Sequence, residues 1–191
     1  MRIIAGSAKG RILVTPAGVT RPTSDRTREG IFSALESEIG TCEGIEFLDL
    51  YGGTGAVGLE ALSRGAANVV IIEKDVKAAS VCKANYDLVK NVTTGRFAVL
   101  RMSVDAYLEM DSAKNSSFDV IYLDPPYDFP NATIEKVLSK IIESKILKSG
   151  GMLIVERSTR TPAFAWPEAV SAIKERKYGE GTVYFANFEF R

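Results

Sequence analysis

Apolar residues recur along this chain at two periods, and the alternation between them sets the expected architecture. Five short apolar runs, Phe47 to Leu50, Val69 to Ile72, Phe97 to Leu100, Val120 to Leu123 and Met152 to Val155, read as strands. Stretches of helical spacing lie between them. Ile31, Leu35 and Ile39 fall along one side of a helix predicted over 25–39. Ala78, Val81, Cys82 and Tyr86 mark a second helix, with Asp75 placed to cap its N-terminus. Gly65 can close the helix after the first strand, and the Gly150-Gly151 pair is expected to turn the chain out of the helix before the fifth. This alternation predicts a parallel sheet covered on both faces. The C-terminal end differs: Ala172 to Tyr178, Gly179-Glu180-Gly181, then alternating Val183, Phe185, Phe188 and Phe190 predict a hairpin, so the last strands are antiparallel. Arg2 to Ala5 and Arg11 to Val14 read as a further strand pair turning at 6–10, with Lys9 at the loop tip. The expected fold is α/β: a mostly parallel, seven-stranded sheet with an antiparallel C-terminal hairpin and a short N-terminal β-hairpin. It forms one domain, 1–22 as a basic arm and 23–191 as the core.

Composition narrows the chemistry. A chain of 191 residues, 46% hydrophobic and 25% charged, is the size and make-up of one soluble domain with a substantial core. It contains no histidine, which excludes Ser-His-Asp and Cys-His nucleophilic sites and H-E-x-x-H metal sites. Cys42 and Cys82, forty residues apart, suggest neither a disulfide framework nor a zinc site, and no metal is expected. No apolar run approaches the roughly 20 residues that span a bilayer, and no signal-peptide core opens the chain. The expected location is cytoplasmic, although an organellar protein stripped of its transit peptide would read the same.

Two segments carry the chemistry. In Phe47 to Ala61 an apolar strand runs into a glycine turn and then a helix, with Gly53, Gly55 and Gly58 in G-x-G-x-x-G spacing. Glu73 closes the next apolar run, twenty residues after Gly53. This layout fits an adenine nucleoside, because glycines let the backbone approach the ligand and the acid accepts from the ribose hydroxyls. Dinucleotides and S-adenosylmethionine both satisfy it. The second segment, Asp124-Pro125-Pro126-Tyr127, follows the fourth strand. An exocyclic amine on a nucleobase is a poor nucleophile until both N–H bonds are drawn to fixed acceptors, which turns its lone pair out of the ring plane. Asp124 and the Pro125 carbonyl supply such acceptors, and two prolines hold the backbone extended. Tyr127 offers a ring for an extruded base, a contact worth roughly 1–3 kcal/mol against the few that unstacking costs. Hydride transfer has no use for this arrangement, so the methyl donor is preferred. By itself the chemistry allows guanine N2, adenine N6 or cytosine N4, in RNA or DNA.

The zero net charge hides an asymmetry. Residues 1–30 hold six basic side chains, Arg2, Lys9, Arg11, Arg21, Arg26 and Arg28, against Asp25 and Glu29, a net +4. The remainder, with 18 basic and 22 acidic residues, carries −4. A basic segment on an acidic body suits an RNA-tracking arm. Arg21 and Arg157, after the fifth strand, are further candidates for RNA or substrate contact.

The chain resembles the RsmD-type bacterial 16S rRNA guanine-N2 methyltransferases along nearly its whole length. The likeness rests on Met1-Arg2-Ile3-Ile4-Ala5-Gly6, Gly10-Arg11, the block from Arg21-Pro22-Thr23 through Glu29, Phe32, the glycine turn, Ser63-Arg64-Gly65-Ala66, Glu73, Asp105-Ala106 and Asp124 to Tyr127. Val104 stands where that family usually has glycine, and Gly30 and Ser33 replace its commoner alanine and asparagine. The resemblance implies a Rossmann-like class I methyltransferase fold with S-adenosylmethionine as methyl donor. It assigns the methionine part to Asp49 and the Gly53-Thr54-Gly55 backbone, with Tyr51 beside them. Glu73, next to Lys74, would hold the ribose and Asp105 the adenine amino group. The partner it implies is 16S rRNA in an assembling small subunit, met by a monomer. Asp49, Glu73, Asp105 and Asp124 lie at or just past strand ends, where ligands of open α/β sheets bind, and are expected to line one cleft.

Overall fold

Helix α1 covers Asp25–Ile39, the residues expected from its periodicity. Ser24 caps it by accepting from the Thr27 N–H, Ile31, Phe32 and Leu35 are buried along one side, and Gly40 ends it at φ +83°. A computed structural model describes residues 1–15 and 24–189, the side chains of 112 and 114 excepted, in two compact units, Met1–Met102 and Ser103–Arg191.

In the first unit α1 is followed by β1 (Glu46–Asp49), α2 (Ala56–Ser63), β2 (Asn68–Ile72), α3 (Val76–Val89) and β3 (Arg96–Leu100). β1 pairs with β2 and β2 with β3, all parallel, in the order β3-β2-β1. Gly65, at φ +101°, ends the turn out of α2, and Asp75 caps α3 by accepting from the Ala78 N–H, both as expected. All eight residues of α2 are buried. One side packs on β1 and β2, and the other is covered by the N-terminus.

That N-terminal segment corrects the expectation of a regular strand pair. It keeps a hairpin path, with Ile3 N–H donating to Arg11 O (2.9 Å) and Leu13 N–H to Met1 O (3.0 Å), but only the Arg2–Ile12 bridge is β-paired. The cause is tertiary. The Ile4 and Ala5 N–H groups donate to the fully buried Glu60 carboxylate (2.8 and 3.0 Å), Ser7 N–H to Ser63 O (2.8 Å) and Ala8 N–H to Ser63 Oγ (2.9 Å). Backbone donors that a longer ladder would use are taken by α2, so the segment is clamped against the core.

The second unit holds α4 (Val104–Glu109), α5 (Asp111–Lys114), β4 (Phe118–Leu123), α6 (Asn131–Glu143), β5 (Leu147–Ser158), β6 (Val170–Tyr178) and β7 (Gly181–Phe188). β4 pairs with β5 in parallel, and β5–β7 and β6–β7 are antiparallel, giving β4-β5-β7-β6. The expected C-terminal hairpin turns at Gly179-Glu180, with Gly179 at φ +60°. Gly150-Gly151 corrects a second expectation. The chain leaves α6 through Ser144 and Lys145 (φ +56°), whereas both glycines lie inside β5, beside the register shift between Phe118 and Val120. A Cβ on Gly151 would stand 2.7 Å from Lys148 O and 3.1 Å from Asp119 O, so the pair lets an irregular stretch of strand pack closely.

Candidate active site

In the first unit the glycine turn leads from the end of β1 into α2. Gly52 N–H donates to Ile72 O (3.0 Å) and Gly55 N–H to Gly52 O (2.7 Å), which ties the turn to β2 and folds it over the start of α2. The glycines serve different ends. A Cβ on Gly55 (φ +79°) would lie 2.4 Å from Cys82 Sγ, and one on Gly58 would lie 2.7 Å from Ile71 Cδ1. Gly53 (φ +53°) faces open space. Gly55 therefore lets the turn pack on α3, Gly58 seats α2 against β2, and Gly53 leaves a bare backbone surface. The twenty-residue interval to Glu73 is a physical contact: Glu73 Oε2 accepts from the Gly53 N–H (2.8 Å), and Oε1 accepts from the Asp75 N–H (2.7 Å). Glu73 is thereby aimed by the strand end and the next helix start.

Asp49, the last residue of β1, is 1% exposed. Burial pushes its carboxyl up to about 7, the charge of nearby Glu73 adds to the rise, and N–H groups of Tyr51 (3.3 Å) and Gly58 pull the other way. Tyr51 is half-buried, Thr54 is buried and Lys74 is exposed. Sequence reasoning missed Asn85, which is fully buried on α3: its Nδ2 donates to Thr54 O (2.9 Å) and Val14 O (3.1 Å), and its Oδ1 accepts from Val14 N–H (2.7 Å). An asparagine among the apolar positions of a helix was the only trace it left.

In the second unit Asp124 follows directly on β4 and is half-buried, Pro125 is buried, and Pro126 and Tyr127 are exposed. Phe129 N–H donates to Pro126 O (3.0 Å), closing a turn that carries Tyr127 at its edge, 44% exposed. Arg157, on β5, is 1% exposed, and its Nη1 and Nη2 donate to Pro126 O (3.4 Å) and Phe129 O (2.5 Å). Its expected role in RNA contact is therefore corrected: the guanidinium lies beneath the turn and does not face solvent. Asn131, at the start of α6, donates to Pro162 O and Ala163 O (2.9 and 3.0 Å) and ties the segment after β5 to the same corner. Asp105 lies in the first turn of α4, exposed, with its carboxylate on Lys140 Nζ (2.7 Å), and that hydrogen bond lowers its pKa.

The basic N-terminal residues separate by burial. Lys9, Arg11 and Arg26 are exposed, and Arg2 is exposed with its Nε 3.6 Å from Asp25. Arg28 is the correction. It is fully buried, donating to Arg2 O (2.5 Å) and Asp25 Oδ1 (2.8 Å), so it props the N-terminal segment and presents no charge to RNA. Arg21 and the Arg21-Pro22-Thr23 block lie outside the described residues.

Comparison with known proteins gives the family and the fold. A family described as conserved hypothetical protein 95 matches residues 1–187. The ribosomal RNA small subunit methyltransferase D of Haemophilus influenzae is 34% identical over 180 residues, 94% of this chain and 89% of that one. Its Escherichia coli namesake is 30% identical over 181 residues, 94% and 86% respectively. The solved structure of yhhF from Escherichia coli matches with a TM-score of 0.85 at 28% identity, covering 100% of this chain and 99% of that one. The Rossmann-like methyltransferase fold thus extends over the whole chain.

Proposed function

The chain belongs to the RsmD-type small-subunit rRNA methyltransferase family, and on that premise we propose that it methylates the exocyclic N2 of a guanine in 16S rRNA with S-adenosylmethionine as donor. The observation that carries the reading is the rigid Asp124 to Phe129 turn at the end of β4, acceptor groups first and an exposed tyrosine ring after them.

The residues present fit the donor. A buried acid raised to about 7 beside a second acid suits the methionine ammonium, and the bare Gly53 backbone allows close approach. In this reading Asp49, Tyr51 and the Gly53-Thr54-Gly55 backbone hold the methionine part, Glu73 with neighbouring Lys74 the ribose, and Asp105 the adenine amino group. When bound, S-adenosylmethionine supplies a sulfonium-activated methyl carbon. The protein's part is placement, an effect that can be worth several kcal/mol and needs no imidazole base. Asp124 and the Pro125 carbonyl accept the two N–H bonds of the guanine amine, so its lone pair leaves the ring plane. Tyr127 stacks on the extruded base. The amine sheds a proton after attack, to Asp124 or to water.

Exposed Lys9, Arg11, Arg26 and Arg2 track the phosphates, with Arg21 assigned to the same arm. A domain this small reads little sequence, so the folded RNA of an assembling small subunit supplies much of the specificity to a monomeric, cytoplasmic enzyme. The test offers labelled donor to small ribosomal subunits lacking the modification, to naked 16S rRNA and to DNA, followed by nucleoside analysis. N2-methylguanosine from the subunits is expected, and label confined to DNA, or to another base, overturns the proposal.

A further inference from the structure

We infer that Arg157 is a positioning residue for amine methylation, holding the turn that presents Asp124, the Pro125 carbonyl and Tyr127. The inference rests on the methyltransferase reading above and adds to it a residue outside the Asp-Pro-Pro-Tyr segment.

The need for such a residue follows from the prolines. β4 pairs with β5 up to Leu123 opposite Val155, and there the ladder stops. Pro125 and Pro126 have no N–H, so the strand cannot continue its backbone bonding, and the carbonyls just past it must find donors elsewhere. Arg157 lies on β5 two residues beyond Val155, where the parallel partner has ended. It is pinned on its other side by the antiparallel register, Val155 opposite Tyr184 and Arg157 opposite Thr182. From that rigid strand its two terminal nitrogens donate to Pro126 O and Phe129 O, the first and last carbonyls of the turn. The turn is therefore closed twice, once by its own Phe129 N–H to Pro126 O bond and once by the guanidinium that bridges its ends.

The residue type matters. A guanidinium cannot shed its proton at any working pH, and burying it at 1% exposure is costly unless its N–H groups are used. A planar fork of donors can bridge two carbonyls at fixed separation, where an ammonium acts as a point and an amide reaches less far. The acceptor oxygen of Pro125 lies one residue before the bridged carbonyl and the ring of Tyr127 one residue after it. A small rotation of the turn would move both, and displacements of about 1 Å in a reacting pair can cost around a hundredfold in rate.

The experiment compares wild type with Arg157→Lys, Arg157→Gln and Arg157→Met. It reads single-turnover methylation of unmodified small subunits at saturating donor and RNA, donor affinity by calorimetry, and folding by circular dichroism. Rates are expected to fall in the order Arg, Lys, Gln, Met, with the last roughly 10–100-fold below wild type, while donor affinity stays within about twofold. A merely structural residue would lower donor affinity and folded fraction together and would not be graded by donor geometry. Should Arg157→Met fail to fold, the Lys and Gln variants make the same comparison. A wild-type rate in Arg157→Gln, or a rate that falls only in step with donor affinity, overturns the inference. If wild-type protein itself transfers no methyl to the subunits, the functional reading has failed instead.

Discussion

On the proposed role of Asp49 in holding the donor, its buried carboxyl should make donor binding and stability depend on pH in opposite senses. Its value rises from 3.8 to about 7 on folding, chiefly through burial. A folded state that holds the proton more tightly than the unfolded one loses stability as pH climbs from about 4 to 7. At 1.36 kcal/mol per tenfold change in the proton equilibrium, the raised value costs the ligand-free protein roughly 4 kcal/mol at pH 8, where Asp49 is ionised in both states, and about 2 or less at pH 5, where the folded protein holds it protonated. Asp49→Asn, which keeps the shape and an acceptor for Tyr51 N–H, should therefore raise ligand-free stability by up to about 4 kcal/mol at pH 8 and by much less at pH 5. In the proposed pairing the methionine ammonium needs the ionised form, so donor affinity of the wild type should weaken about tenfold between pH 8 and pH 6, and Asp49→Asn should bind weakly throughout. Denaturant unfolding at both pH values and calorimetric titration of S-adenosylmethionine measure the two effects. A stability difference between the proteins that does not change with pH, or a flat affinity profile, would refute the reasoning.

Further outcomes follow from the same geometry. Asp124→Ala should keep donor affinity within about threefold and lose most turnover, because it removes an acceptor for the target amine; full activity in that variant is incompatible with the mechanism. Glu73→Ala should instead weaken donor binding, checked by equilibrium titration, since it frees the Gly53 and Asp75 N–H groups and removes the proposed ribose acceptor. Replacing Lys9 and Arg11 with alanine should lower RNA affinity and flatten the logarithmic salt slope by about 1.4, while an unchanged slope would return both to ordinary surface. Gly6→Ala combines a φ of +79° with a Cβ 1.8 Å from Ser63 O, so it should unclamp the N-terminal segment and weaken RNA binding with donor affinity intact, as hydrogen exchange at Ile4 and Ala5 would report.

The seven sheet strands, their order along the chain and helices α1 to α3 were legible because each rests on local information. Apolar runs of strand length, α1 by the spacing of Ile31, Leu35 and Ile39, Asp75 as the cap of α3 and the Gly179 turn all follow from spacing and from preferences that act within a few residues. The interval from Gly53 to Glu73 was visible as a number, and the fold converts it into a hydrogen bond. Tertiary structure alone decided which charged side chains face water. Arg28 and Arg157 carry the same charge as Arg11 and Arg26, and burial against particular carbonyls turns the first pair into internal braces. Glu60 and Asn85 gave no periodic signal, because Ile4 and Ala5, which donate to Glu60, and Val14 and Thr54, which bind Asn85, lie 31 to 71 residues away along the chain. The Gly150-Gly151 pair failed for a related reason: a glycine states what backbone it permits, and packing against Lys148 and Asp119 determines where that freedom is used. A sequence fixes what each segment can form by itself, whereas the burial of a charge depends on the free energy of groups that meet only after folding.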